Sequence, residues 1–125
     1  MTRPLIINFV AALVLGGLFF VAMGLAPARA ATCGKVSFYA DAHHGRLMAN
    51  GRPFNMHAMT TAAPSLPLGT KLRVTANGKS VVVTVTDRGP AKRLNRVLDL
   101  SKAAFAKLAP TRQGVVRACY ERISP

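Results

Sequence analysis

Acidic side chains are scarce: Asp41, Asp87, Asp99 and Glu121 are the only four in 125 residues, set against seventeen Lys and Arg and a formal net charge of +13. An enzyme that splits its work between two carboxyls at a fixed separation has few candidates here, while a one-carboxylate mechanism loses nothing. Tryptophan is absent, and Phe38, Tyr39, Phe54, Phe105 and Tyr120 are not interleaved with basic residues. A base-stacking platform is therefore missing, and no nucleic-acid partner is expected. Cysteine occurs twice, at Cys33 and Cys119, with no Cys-x-x-Cys spacing and no third ligand close by. A redox or metal pair is disfavoured on that spacing, and a disulfide staple near the two ends of the domain is the preferred reading. His43, His44 and His57 lack the spacing of helical metal ligands, so neither metal nor cofactor is expected.

What is present first sets the compartment. Arg3 precedes an apolar stretch over residues 5–26, followed by Pro27-Ala28-Arg29-Ala30-Ala31. Small residues at Ala28 and Ala30 give the layout of a secretory signal peptide over residues 1–30, cut before Ala31. The stretch is also long enough for a retained anchor, although Gly16, Gly17 and Gly24 weaken a spanning helix. Cys33 follows Ala30-Ala31-Thr32 and does not sit in a lipid-attachment pattern, so a lipoprotein is not expected. Residues 31–125 are then one domain, exported to the periplasm or cell envelope, expected to be monomeric and not embedded in the membrane. Arg3 and Arg29 leave with the leader, so the domain keeps a net charge of +11. It is drawn to polyanions, or simply carries a solvated basic face.

Residues 35–40 alternate as a first strand, and a long polar loop follows to residue 55. Residues 70–75 and 81–87 read as two strands joined by the hairpin signal Asn77-Gly78. Residues 96–100 form a short apolar segment. Ser101 N-caps a two-turn helix over 102–108 that Pro110 ends, and residues 114–123 supply a last strand. Some five short strands with a small helix point to a closed β-barrel, which hides its sheet edges. Asp87 ends the Val/Thr-rich strand just before Arg88-Gly89-Pro90, where a rigid element can hold a side chain at the rim of a cleft. The competing role for that residue is to organise a turn by accepting backbone N–H bonds.

Ser37-Phe38-Tyr39, His44-Gly45-Arg46, Ala49-Asn50-Gly51, Phe54-Asn55-Met56, Leu66-Pro67-Leu68-Gly69-Thr70, Asn77-Gly78-Lys79-Ser80, Asp87-Arg88-Gly89-Pro90 and Leu98-Asp99-Leu100-Ser101 resemble, in order and spacing, the rare lipoprotein A family. The resemblance implies a mainly β fold, a six-stranded double-psi β-barrel with one or two short helices, related to expansins. It also implies a peptidoglycan glycan strand as partner and an endolytic lytic transglycosylase activity. In that reaction one carboxyl protonates the glycosidic oxygen, and the sugar's 6-hydroxyl closes on C1 without added water. Asp87 matches the family's acid. Arg88 beside it favours the ionised form unless its side chain points away. Active members usually carry a His just before the Leu-Pro-x-Gly turn, and the register puts Ala63 there.

By the same resemblance Tyr39, His44, Arg46, Asn50, Thr60 and Arg88 line the sugar groove. Packing for Tyr39, solvation for Arg46, loop shaping for Asn50 and strand capping for Thr60 are the alternatives. Asp99 is read as structural, satisfying buried donors or the helix start, with a smaller functional share as a second carboxylate beside Asp87. Phe54, Met56 and Met59 are read as core filler, and Asp41 and Glu121 as surface charges. Two classes of function follow: an enzyme that cuts glycan strands with Asp87, and a non-catalytic, expansin-like glycan binder, toward which Ala63 tilts. An inhibitor domain on the same barrel has no residue to recommend it.

Overall fold

Val36, Leu72, Val74, Val83, Val85, Leu98, Leu100 and Val116 are all 5% exposed or less, and every one sits on a strand whose neighbours along the chain face the other way. Two-residue alternation closes these strands around one apolar interior. The computed structural model describes residues 30–124; the proposed leader over residues 1–30 lies outside them but for its last residue. The strands are β1 (Thr32–Phe38), β2 (Thr60–Ala62), β3 (Lys71–Ala76), β4 (Lys79–Asp87), β5 (Leu98–Leu100) and β6 (Val115–Ser124). One helix, α1 (Lys102–Ala106), and three single 3-10 turns complete the described residues.

The sheet closes in the order β1-β5-β2-β4-β3-β6. β1 with β5 and β2 with β4 are parallel, and the other four pairs are antiparallel. A six-stranded barrel with the two parallel pairs on one side agrees with the double-psi expectation. The hairpin forms as anticipated: Asn77 and Gly78 have φ of 54° and 73°, the left-handed pair that a two-residue turn between twisted strands requires. Asn77 also donates its side-chain N–H to the Leu108 carbonyl at 3.0 Å, tying the turn to the chain beyond α1.

Ser101 caps α1 as expected, its hydroxyl accepting the Ala104 N–H at 3.2 Å. The helix is five residues long and not seven, but Phe105 and Leu108 still plug the barrel end, with the Phe105 ring 4.7 Å from that of Phe38. β1 starts three residues before the anticipated strand and stops before Tyr39. The extra residues pair with β6, bringing Cys33 opposite Cys119 in the bonded disulfide. β2 was not anticipated: three residues inside a loop-like stretch show no alternation, and their strand character comes from being threaded between β4 and β5.

The disulfide spans a sequence separation of 86 residues. In the chain-entropy model a loop of that size is worth on the order of 4 kcal/mol. The Cys33→Ala/Cys119→Ala double variant is expected to fold with a lower melting temperature and an unchanged fold by circular dichroism. Thermal unfolding of variant and parent under non-reducing conditions checks it.

Candidate active site

Ala62 is the Cα partner of Asp87 on β4 and of Asp99 on β5, and Asp99 is in turn the partner of Ser37 on β1. Register partners share a face, so Ser37, Asp99, Ala62 and Asp87 form one row across four neighbouring strands. The row lies on the outer wall, because Val36, Leu98, Leu100, Thr61 and Val85, adjacent or next but one along the chain, turn inward. A register shift opposite Thr61/Ala62 adds one residue to β4, so that Val85 and Asp87, two apart in sequence, meet consecutive residues of β2. Bulges re-aim side chains in this way, and here the shift turns Asp87 outward. The methyl of Ala62 leaves the two carboxyls no bulkier neighbour between them.

A small hairpin from the loop after β1 covers this row. Gly45 N–H bonds the Phe54 carbonyl, Phe54 N–H the Arg46 carbonyl, and Met48 N–H the Arg52 carbonyl, at 2.7–2.9 Å. The tip is closed by Asn50, whose side-chain oxygen accepts the Arg52 N–H at 3.0 Å. That tip docks on the end of β4: Ala49 N–H donates to Asp87 Oδ1 at 2.8 Å, and Asn50 N–H to the Thr86 carbonyl at 3.2 Å. Arg88 N–H is a second donor to Oδ1 at 2.9 Å, while Oδ2 accepts the Tyr39 hydroxyl at 2.6 Å. Tyr39 is itself stacked on the buried Phe54, centroids 4.4 Å apart, with His43 edge-on at 5.6 Å. Phe54 is thus the floor under Tyr39, outside the barrel's apolar cluster, while Met59 packs against that cluster. Met56 lines a side cavity of about 290 Å³ against α1.

Electrostatics separate the members of the cluster. Burial above all, then the hydrogen bond to Asp87 and the charges of Asp87 and Asp99, push the Tyr39 hydroxyl well above the ordinary phenol range. Tyr39 therefore remains a neutral donor. Asp99 is raised above the usual carboxylate range, chiefly by burial, with Asp87 adding to the rise and the Ser37 hydroxyl, Arg96 and His43 opposing it. Ser37 donates to Asp99 Oδ1 at 3.1 Å.

The remaining anticipated residues divide. Arg88 points away from Asp87: its guanidinium donates to the Leu66 carbonyl at 2.7 Å and reaches the Ala63 carbonyl at 3.5 Å. Its guanidinium is spent on these carbonyls and not on the Asp87 carboxyl. His44 is exposed, its Nδ1 accepting the Met56 N–H at 3.1 Å, with the His57 ring 5.8 Å away. Arg46 is exposed beside the hairpin, and Thr60 is half-buried at the start of β2, its carbonyl accepting the Ser101 N–H. Asn50 spends its side-chain oxygen on the hairpin tip. Ala63 is fully buried, and its N–H donates to the Asp87 main-chain carbonyl at 3.1 Å, so the position abuts Asp87 through the backbone. Among the described residues no cluster of His, Cys, Asp and Glu could hold a metal ion. Sequence reasoning gave no role to Ser37, Ala62 or the Ala49 N–H, since pairing between strands distant in the chain creates them.

A family model described as lytic transglycolase matches residues 31–120. The chain belongs to the lytic transglycolase family. Among curated relatives, a protein of Neisseria meningitidis named endolytic peptidoglycan transglycosylase RlpA is 44% identical over 94 residues, which are 74% of this chain and 39% of the relative. This lytic transglycolase chain thus spans about two fifths of that relative's length. Among solved structures, the Streptomyces papain inhibitor superposes with a TM-score of 0.63 at 31% identity, covering 78% of this chain and 97% of the inhibitor. The Clavibacter michiganensis expansin gives 0.61 at 26% identity, covering 75% of this chain and 50% of the expansin. The lytic transglycolase barrel is thus shared by proteins with differently named activities, and the site has to decide among them.

A carboxyl whose folded pKa lies above its unfolded one contributes fully below the unfolded value and loses that contribution as pH rises through the folded value. Asp99 is such a group. Asp99→Asn is expected to leave the melting temperature near that of the parent at about pH 3 and to raise it at about pH 7. Melting curves across that range check the sign.

Proposed function

We propose that this domain cleaves the glycan strands of peptidoglycan as an endolytic lytic transglycosylase, with Asp87 as general acid and then general base. The observation that carries the reading is the Asp87 carboxyl itself, outward on the carboxylate row, clamped at Oδ1 by two main-chain N–H groups and at Oδ2 by Tyr39. The naming of the relatives as peptidoglycan transglycosylases supports it. Oδ1 remains an acceptor in either protonation state, which leaves Oδ2 to carry the proton. That proton passes to the glycosidic oxygen as the C1–O bond breaks. The 6-hydroxyl oxygen of the same sugar then bonds to C1 and returns its proton to Oδ2, so no water is consumed and the acid is restored. Asp99 stands next along the row and is itself raised above the usual carboxylate range, chiefly by burial. Tyr39 positions Oδ2 and donates to it whenever it is ionised. His44 and Arg46, exposed on the loop that roofs the row, line the approach of the strand.

The same reading puts the protein outside the cytoplasm. The bonded pair formed by the only two cysteines and the leader-like residues 1–30 support export.

One observation favours a second reading, an expansin-like binder that holds the strand without cutting it: the position of the family's usual His is Ala63, and it is fully buried. Incubation with purified peptidoglycan, followed by mass spectrometry for anhydro-muropeptides, decides between them. The enzyme reading expects anhydro products whose rate falls about 10²–10⁴-fold in Asp87→Asn, with wall pelleting retained. Tyr39→Phe keeps the stack on Phe54 and is expected to lose a smaller factor. A parent that pellets with the wall and yields no anhydro ends is a binder. Ala63→His overpacks a closed site at a cost of about 1–3 kcal/mol, so its melting temperature should fall whether or not it gains activity.

A further inference from the structure

Lys35 on β1 and Arg117 on β6 are register partners, both exposed, two residues along from the bonded Cys33 and Cys119. The Lys35 carbonyl accepts from Val97 N–H on the opposite side, toward β5, at 2.9 Å. Lys35 therefore occupies a non-hydrogen-bonded position against β6, the kind of pair in which facing side chains come closest. Two like charges opposed in this way repel. Among the described residues neither has an acid within ion-pair distance: Asp41 pairs with Lys102 and Glu121 with Arg73, while Asp87 and Asp99 are engaged in the carboxylate row. The disulfide on the same outer row clamps β1 to β6 where the cations push them apart.

Lys35 lies near the Ser37–Asp99 end of the row, three strands from Asp87. Ser37, which bonds Asp99, is the next outward residue of β1 after Lys35, roughly 7 Å along the strand. We propose that Lys35 and Arg117 form an anion subsite at the Asp99 end of the row, which takes a carboxylate carried by the bound glycan strand. The proposal rests on the glycan reading given above. Two cations on neighbouring strands match the two oxygens of one carboxylate, and Arg offers a planar fork to it. The muramic acid units of peptidoglycan carry such groups on their lactyl or peptide substituents; an unsubstituted N-acetylglucosamine chain carries none.

The test titrates the purified protein with soluble peptidoglycan strands and with a neutral N-acetylglucosamine hexamer at low and high salt. The parent is expected to prefer the carboxylate-bearing strand by about tenfold at low salt, and to lose the preference as salt rises. Lys35→Glu, which can pair with Arg117, is expected to lose the preference, keep its affinity for the hexamer and melt at a higher temperature. Lys35→Arg keeps the preference. Lys79→Glu makes the same change in net charge on the β3–β4 hairpin and also keeps it. Retained preference in Lys35→Glu overturns the proposal, as does an equal loss in Lys79→Glu, which would trace the effect to net charge. If the parent binds neither glycan, the glycan reading itself fails and the subsite falls with it.

Discussion

The three donors on Asp87 join the end of β1 and the tip of the loop hairpin to the turn that follows β4. Tyr39 leaves the end of β1, Ala49 sits at the tip of a hairpin in the long loop, and Arg88 N–H belongs to the turn after β4. Each alone is a single hydrogen bond, worth about 0.5–1.5 kcal/mol. Together they fix one carboxyl to the barrel wall and one loop over it. The hairpin has few apolar residues with which to anchor itself: Leu47 at its edge is 75% exposed, and Phe54 is the one buried ring it contributes. The acid and its roof are therefore linked through Oδ1, an acceptor that Asp87→Asn keeps.

This coupling explains why a turn-organising role and a chemical role for Asp87 are not exclusive. Oδ1 does what an Asp in a turn does, accepting the N–H of its neighbour and of a second loop. Oδ2 meets a side-chain hydroxyl. A carboxyl divided in this way is held by main-chain amides at one oxygen and meets a group that can turn its O–H at the other. Preorganisation of that kind is the usual contribution of protein to acid catalysis.

Local signals in the sequence carried the parts of the fold that depend on local physics. Asn77-Gly78 needs two left-handed residues and names them; Ser101 offers a hydroxyl three residues before an orphan N–H; the alternation read over 70–75 and 81–87 places Leu72, Val74, Val83 and Val85 inside. What the sequence could not show is set by pairing at a distance. β2 has three residues and no pattern, yet its place between β4 and β5 is what aligns Ala62 with both Asp87 and Asp99. Arg88, adjacent to Asp87 in sequence, is expected to favour its ionised form unless it points away, and carbonyls of the loop between β2 and β3 claim its guanidinium. Phe54 read as core on hydrophobicity and is indeed buried, but beneath a tyrosine at the site instead of inside the barrel.

The shortage of acids shapes the charge balance of the whole surface. Of four carboxyls, two are paired with cations in exposed or partly exposed ion pairs, Asp41 with Lys102 and Glu121 with Arg73, which contribute about 1 kcal/mol each at most. The other two stand together on the row. The carboxyls outside an ion pair are thus confined to the row, within a domain of strongly positive net charge. Such a field draws an anionic polymer toward the surface while repelling it from the row itself, unless the polymer's own charges find cations beside that row. On the glycan reading proposed above, a neutral sugar ring lies over Asp87 with its charged substituents directed to the side, so attraction of the polymer by the basic surface does not conflict with carboxyls on the row.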